Sequence, residues 1–245
     1  MEQQNSRRTF LKTTATGLAS AAVIGGSITS IASPMRIFKP NMPSLFTEFK
    51  AIDFEKVKPA LLKWPSEKAV KEHLKLYKGY VNKANEITGK LKTADKDSKN
   101  ANQVFSEIRE LKVEYSFAIG GVKNHEIYFD ALGGEGGKPS GPFADLIARD
   151  FGSVDEWMKD VKATAIASRG WSWLAYDHDA KSLFNYLGDA QNTFPVWNAS
   201  PIIALDVYEH AYWMDFGANR AQYIDEWFGH LDWKAIGARF RAIKM

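Results

Sequence analysis

Five histidines and no cysteine restrict the metal chemistry open to this 245-residue chain. Without thiolates, a metal ion would be held by imidazole and carboxylate groups, which suit iron, manganese and zinc. A disulfide framework is excluded for the same reason. The histidines are so few that each can be considered singly as a ligand.

The segment Asp206-Val-Tyr-Glu-His210 is the strongest local candidate for a metal site. The apolar run Ile202-Ile-Ala-Leu205 precedes it and predicts a strand that ends at the aspartate, with a helix following. A carboxylate oxygen and a neutral imidazole that converge on one point are suitable metal donors. A helix N-cap at Asp206 with a surface histidine after it is the alternative interpretation of this spacing.

Two other histidines, His73 and His125, lie on the two limbs of a predicted helical hairpin. Either can also be interpreted as a buried histidine with a satisfied hydrogen bond. The last two, His178 and His230, are predicted to be surface residues.

The hairpin is predicted from apolar residues at helical spacing. One helix begins after Pro65 with Ser66 as its N-cap, and the second runs from about Asn102 through Ala131. Residues 34–64, which hold four prolines, are predicted to be irregular. The apolar positions are Val70, Leu74, Tyr77, Val81 and Ile87 in the first helix, and Val104, Ile108, Leu111, Tyr115 and Ile119 in the second.

A glycine- and proline-rich stretch, residues 132–142, predicts a long loop and a domain boundary. The order of elements indicates an α+β fold, with an N-terminal helical hairpin domain (65–135) and a C-terminal domain (136–245) that holds a three-stranded antiparallel sheet surrounded by helices. The predicted elements of the second domain are helices at 143–151 and 154–167, strands at 170–176, 181–187 and 202–207, and helices at 209–216 and 220–242.

The first 33 residues match the pattern of a twin-arginine export signal. Ser6-Arg7-Arg8-Thr9-Phe10-Leu11-Lys12 precedes a mildly apolar run, residues 14–31, that is too weakly apolar for a good membrane span. A small-residue cleavage site, Ser30-Ile31-Ala32, predicts a mature chain that begins near Ser33. We therefore expect a periplasmic or extracellular protein without stable membrane association after cleavage. An uncleaved anchor is the alternative.

The formal net charge of +3 includes +2 from three cations and one anion among the first 32 residues. The remainder carries roughly one positive charge and no basic patch, so nucleic acid is not an expected partner.

Five blocks, in order along residues 65–240, make the chain resemble the iron/manganese superoxide dismutase family. The segment DVYEHAYW (206–213) resembles the family's D-V-W-E-H-A-Y-Y, and YVN (80–82), NH (124–125), GWSWL (170–174) and R-x-x-Y (220–223) resemble its Y-V-N, N-H, G-W-x-W-L and R-x-x-Y.

The resemblance implies one manganese or iron ion per chain, held by His73, His125, Asp206 and His210. It also implies disproportionation of superoxide to dioxygen and hydrogen peroxide, with Tyr80 at the mouth of the substrate path.

Gln191 resembles the glutamine that hydrogen-bonds metal-bound solvent in manganese enzymes, whereas Gly121 stands where iron enzymes usually place it. This combination favours manganese. Trp171 and Trp173 are expected to line the pocket wall, as well as to pack in the core. In the family, the counterpart of Glu209 reaches across a homodimer interface, so a homodimer is expected.

The chain departs from the family pattern near the first ligand. Tyr80 follows His73 by seven positions instead of eight, so an ungapped alignment would make Glu72 the ligand. We choose His73 and keep Glu72 as the alternative. Tyr208 replaces the usual tryptophan and Trp213 the usual second tyrosine.

Two other functions compete with a dismutase. A non-haem iron oxygenase also uses histidine and carboxylate ligands, but a third histidine would fill a position that its substrates need. The other is an exported metal-binding protein of the same fold without activity, against which the presence of Tyr80 and Gln191 argues.

Overall fold

Two long helices pack together in the first half of the chain, of which this computed structural model describes residues 48–193 and 195–243. Helix α2 (Glu67–Thr93) begins at the predicted N-cap, since Ser66 Oγ accepts a hydrogen bond from Ala69 N at 3.2 Å. All five apolar positions predicted for it are buried. Helix α3 (Glu107–Asp130) forms the second limb of the hairpin.

Helix α3 starts five residues later than predicted. Asn102 Oδ1 accepts hydrogen bonds from Val104 N and Phe105 N, and this local turn competes with helix formation. The prediction that Val104 shares one face of this helix with Ile108 and Leu111 is wrong, because Val104 precedes the helix and is 82% exposed. The buried face of α3 lies in its second half, around Val122 and Phe129.

The segment before α2 is more ordered than predicted where it is described. It contains a short helix, α1 (Phe54–Val57), and a 3-10 helix (Pro59–Lys63). Phe54 and Leu61 are buried in the core, and their burial offsets the cost of ordering so short a segment. Residues 34–47 and the predicted export signal lie outside the described residues.

The predicted three-stranded antiparallel sheet is confirmed. After α4 (Pro142–Phe151) and α5 (Val154–Ala167) come the strands β1 (Trp171–Asp177), β2 (Ser182–Gly188) and β3 (Ala199–Asp206). Their order in the sheet is β2-β1-β3, with β1 in the centre. Trp171, the first residue of β1, pairs with Gly188 on one side and with Asp206 on the other.

The C-terminal helices differ from the prediction of one helix over 220–242. Helix α6 (Glu209–Phe216) matches its predicted range. The following stretch divides into α7 (Arg220–Trp227), a 3-10 turn (Phe228–His230) and α8 (Trp233–Ala242). Leu231 breaks the helix because its backbone is extended and bridges to Leu132, and Asp232 Oδ1 caps α8 by accepting from Ala235 N.

The buried residues of the hairpin and of the sheet belong to one continuous hydrophobic cluster. The α+β fold class is confirmed, and the domain boundary near residue 135 stays a prediction. Within residues 48–193 and 195–243, no helix has the length and apolarity needed to cross a membrane.

Candidate metal centre

Four side chains from four different elements meet in the interior. His73 comes from α2, His125 from α3, Asp206 from the end of β3 and His210 from the first turn of α6. One ligand atom from each lies within 4.8 Å of the other three. Three of the four residues are buried, and His210 is partly exposed. The structure therefore brings together all four predicted ligands.

Asp206 lies at the focus of the three imidazole rings. Its Oδ2 is 3.1 Å from Nε2 of His73, 3.1 Å from Nε2 of His210 and 3.5 Å from Nε2 of His125. Neighbouring donors around a first-row metal ion, each about 2 Å from it, lie about 3 Å apart. The spacing around Asp206 thus suits a shared ion.

The environment of His125 supplies the strongest test of whether a metal fits. Its Nδ1 lies 2.6 Å from the carbonyl oxygen of Gly121, which can only accept, so Nδ1 carries the proton. The lone pair is then on Nε2, which is fully buried and has no hydrogen-bond partner within the described part of the chain. A buried nitrogen without a partner costs about 1–3 kcal/mol. A metal ion bound by Nε2 would remove this cost, and the donor set fits iron or manganese.

The structure places His73, and not Glu72, at the centre. The ring of His73 lies edge-on to the ring of His125, with 5.0 Å between centroids. Glu72 is exposed, and its Oε1 pairs with Lys75 Nζ at 2.6 Å. The geometry supports the choice of His73, whose ligand role stays a prediction.

The charge states of the four groups suit metal binding. Burial raises the pKa of Asp206, but His210 and His73 outweigh it and hold this pKa well below its usual range. Burial lowers the pKa of His125 to about 3 and also lowers the pKa of His73. His210 differs, because Asp206 outweighs the effect of burial and raises its pKa. At neutral pH the centre thus holds an ionised carboxylate and at least two neutral imidazoles, the forms that ligate metals.

Gln191 and Tyr80, the predicted catalytic pair, are joined next to the centre. Gln191 Nε2 donates to Tyr80 Oη at 3.2 Å, and Gln191 Oε1 accepts from Trp171 Nε1 at 3.0 Å. Asn124 Nδ2 donates to the backbone oxygen of Gln191 at 3.1 Å. The contacts with Tyr80 and Trp171 fix the orientation of the Gln191 amide. The rings of Tyr80 and Trp171 lie 5.4 Å and 5.1 Å from that of His125.

The two tryptophans of β1 form a buried stack beside His125. Trp171 contacts the ring of His125 edge-on, and Trp173 stacks on Trp171 with 6.2 Å between centroids. Both residues belong to the core cluster. Trp171 therefore packs in the core and contacts a predicted ligand at the same time.

Two tyrosines support Asp206 from its backbone side, and sequence reasoning assigned neither of them a role. Tyr223 Oη donates to the backbone oxygen of Asp206 at 2.8 Å, and Tyr128 Oη lies 3.0 Å from Tyr223 Oη. Tyr223 belongs to the R-x-x-Y block, so the resemblance to the family could have indicated a role for it. Tyr128 is three residues after His125 and carried no signal beyond its aromatic character.

The remaining predictions have mixed outcomes. Tyr208 stacks on His210 at 5.3 Å, and Glu209 and Trp213 are exposed. His178 and His230, which were predicted to be surface residues, are both partly exposed. His178 Nε2 lies 2.8 Å from Ser200 Oγ, and His230 stacks on Trp64 at 4.6 Å.

Comparisons with known proteins point to a single family. Residues 139–239 match the model of iron/manganese superoxide dismutases, C-terminal domain. The chain is similar to a superoxide dismutase [Fe] of Aquifex aeolicus, with 41% identity over 190 residues that cover 75% of this chain and 88% of the relative. It is also similar to a superoxide dismutase [Fe] of Cupriavidus metallidurans (36% over 189 residues, 75% and 92% covered) and to superoxide dismutase [Mn] 2 of Halobacterium salinarum (39% over 117 residues, 47% and 58% covered).

Proposed function

The chain belongs to the iron/manganese superoxide dismutase family, and from that premise we propose that its buried centre converts superoxide to dioxygen and hydrogen peroxide. The chain is thus an oxidoreductase with iron or manganese as its cofactor. When bound, the ion supplies the one-electron couple that oxidises one superoxide and reduces another. Three imidazole nitrogens converge on Asp206 Oδ2, and within residues 48–193 and 195–243 His125 Nε2 has no hydrogen-bond partner; this arrangement carries the proposal.

The protein holds the four proposed ligands in the protonation states and orientations that metal binding requires. These ligands are His73, His125, Asp206 and His210. His125 Nδ1 donates a hydrogen bond to the carbonyl oxygen of Gly121, so Nε2 presents its lone pair. Asp206 Oδ1 accepts from the backbone N of Tyr208 at 2.9 Å, which leaves Oδ2 toward the imidazoles.

Reduction of superoxide to hydrogen peroxide consumes two protons, and we propose that Tyr80 passes them inward. Tyr80 Oη accepts a hydrogen bond from Gln191 Nε2, so its own proton is directed elsewhere. Burial raises the pKa of Tyr80, so the phenol stays protonated at neutral pH. The residue is half-buried, which suits a group between solvent and the interior.

We propose manganese as the preferred ion, because Gln191 occupies the position used by manganese enzymes. The packing at Gly121 supports this choice, since a side chain there would meet the ring of Tyr80. The relatives that the chain resembles include both iron and manganese enzymes, so the test is direct loading with each metal.

The decisive experiment measures superoxide consumption by the purified chain, loaded separately with manganese and with iron. Fast turnover with manganese alone is the expected result. Turnover with iron, or with both metals, would keep the function and remove the metal preference. Full metal occupancy without turnover would instead support a metal-binding protein that has lost the activity.

Export and dimer formation are further parts of the proposal. We infer that residues 1–33 direct the folded protein through the twin-arginine route to the periplasm or the medium, and the arginine pair at positions 7 and 8 supports this. Replacing both arginines by lysine should leave the protein in the cytoplasm.

The exposure of Glu209 is compatible with a homodimer contact, and sedimentation of the metal-loaded protein tests for a dimer.

A further inference from the structure

A cavity of about 360 Å³ lies between α4 and α8, and none of the metal-centre residues lines it. Three of its nine lining residues are aromatic and form one side of the cavity: the rings of Phe143 and Phe240 are 4.8 Å apart, and those of Phe143 and Trp233 are 6.4 Å apart. Sites for small organic ligands have volumes of about 300–1,000 Å³ and mostly apolar walls. The cavity is therefore large enough for one compact ring system.

The charged residues at this cavity all have the same sign. Lys234 and Arg241, both exposed, line it together with seven uncharged residues. Arg239, on the same helix, is in a different situation, because it pairs with Asp130. Among the described residues that line the cavity, Lys234 and Arg241 are thus two positive charges that no carboxylate offsets.

A glycine inside α8 leaves the cavity open. Gly237 lines the cavity, and a β-carbon at this position would lie 3.3 Å from Arg241 Nη1. A glycine in a helix interior costs about 1 kcal/mol relative to alanine. The missing side chain allows the guanidinium of Arg241 to lie over the helix beside the aromatic wall.

We propose that this cavity binds a small organic anion with a flat aromatic body, such as an aryl carboxylate. The ring would pack against Phe143, Phe240 and Trp233, since aromatic rings pack favourably in offset or edge-on contacts. The carboxylate would pair with Arg241, whose planar guanidinium binds carboxylates through two parallel hydrogen bonds, and with Lys234. A neutral ring would lack the ionic contact, and a simple anion would lack the aromatic one.

Calorimetric titration of the full-length, metal-loaded protein tests this proposal, with 2-naphthoate as the probe. We expect saturable binding of one molecule per chain, at least tenfold weaker binding of the neutral 2-naphthamide, and no measurable binding of acetate. The double variant Lys234→Gln/Arg241→Gln should bind naphthoate at least tenfold more weakly. The matched control, Lys68→Gln/Lys112→Gln, removes two exposed lysines of the hairpin and should bind like the parent chain.

A second variant changes the shape of the cavity without removing a charged residue. Gly237→Leu fills the cavity and, because a β-carbon there would lie 3.3 Å from Arg241 Nη1, also displaces the guanidinium of Arg241. This variant should therefore also lose binding, while its thermal unfolding shows that it remains folded. Loss of binding in both variants supports the proposal. Absence of saturable naphthoate binding to the parent chain, or equal affinity in the parent and the double variant, would overturn it. Binding that falls as the protein self-associates would also overturn it, because a second copy of the chain would then be the occupant.

Discussion

The ring of Tyr80 lies directly against the backbone of Gly121, where a β-carbon would come within 2.5 Å of Tyr80 Cδ1. The same glycine offers its carbonyl oxygen to His125 Nδ1. One backbone position thus fixes the ring of the proposed proton donor and the orientation of a proposed ligand.

The first prediction concerns the substitution Gly121→Ala. The added methyl group collides with the ring of Tyr80, so the variant should lose about 1–3 kcal/mol of unfolding free energy, as is usual for overpacked cores. Chemical denaturation of the metal-free protein measures the loss. The control is Gly89→Ala in α2, where a β-carbon would meet nothing within 4 Å. This substitution should stabilise the helix by up to about 1 kcal/mol. Equal stability of the two variants would contradict the packing described for Gly121.

The second prediction distinguishes the two candidates for the first ligand. His73→Ala removes a nitrogen that lies 3.1 Å from Asp206 Oδ2, so the purified variant should contain little metal. Glu72→Ala removes only an exposed partner of Lys75 and should retain full occupancy. Elemental analysis of both purified proteins measures the bound metal. Metal lost from the Glu72 variant alone would transfer the ligand role to Glu72.

The third prediction concerns proton supply through Tyr80. Tyr80→Phe removes the acceptor of Gln191 Nε2, and a lost hydrogen bond of about 1 kcal/mol corresponds to a rate loss of about fivefold. Metal content should not change, because Tyr80 is not a ligand. Pulse radiolysis of the metal-loaded variant measures the turnover. The comparison variant Tyr186→Phe, which changes a half-buried tyrosine that stacks on Trp173, should keep the parent rate.

The fourth prediction is a pH dependence at His230. Burial beside Trp64 lowers the pKa of His230 from 6.5, and the opposing charge of Glu226 does not cancel the effect. The unfolded chain therefore binds the proton first as the pH falls, so the contribution of His230 to stability is complete above about pH 6.5 and decreases below it. Unfolding free energies of the parent chain and of His230→Gln, measured between pH 7 and pH 5, should converge as the pH falls. A difference that is constant over this range would contradict the lowered pKa.

The elements predicted most accurately are those indicated by residues close together in the sequence. Helices α2 and α5 have a serine N-cap and apolar residues at helical spacing, and both begin where the sequence indicated. The break at Leu231 could not be predicted, because its cause is a bridge to Leu132, which lies about one hundred residues earlier. The start of α3 differs, because its cause is local: the side chain of Asn102 accepts from Val104 N, and this turn outweighs the helix propensity of the residues that follow.

The residues of the candidate site also divide into those that the sequence indicated and those that it did not. The resemblance to a family placed Tyr80 and Gln191 in the site, and the structure joins them through a hydrogen bond across 111 positions. Tyr128 could not be found in advance, because its contact with Tyr223 depends on how α3 packs near α7. Such contacts depend on tertiary packing and produce no periodic pattern in the sequence.

The separation of the four proposed ligands along the chain also has a consequence for the order of events during synthesis. His73 and Asp206 are 133 positions apart, and a ribosome adding about 5–20 residues per second needs on the order of ten seconds to pass from one to the other. Throughout that interval the nascent chain has ligands from the hairpin only. Metal capture by the whole set therefore follows translation of most of the polypeptide.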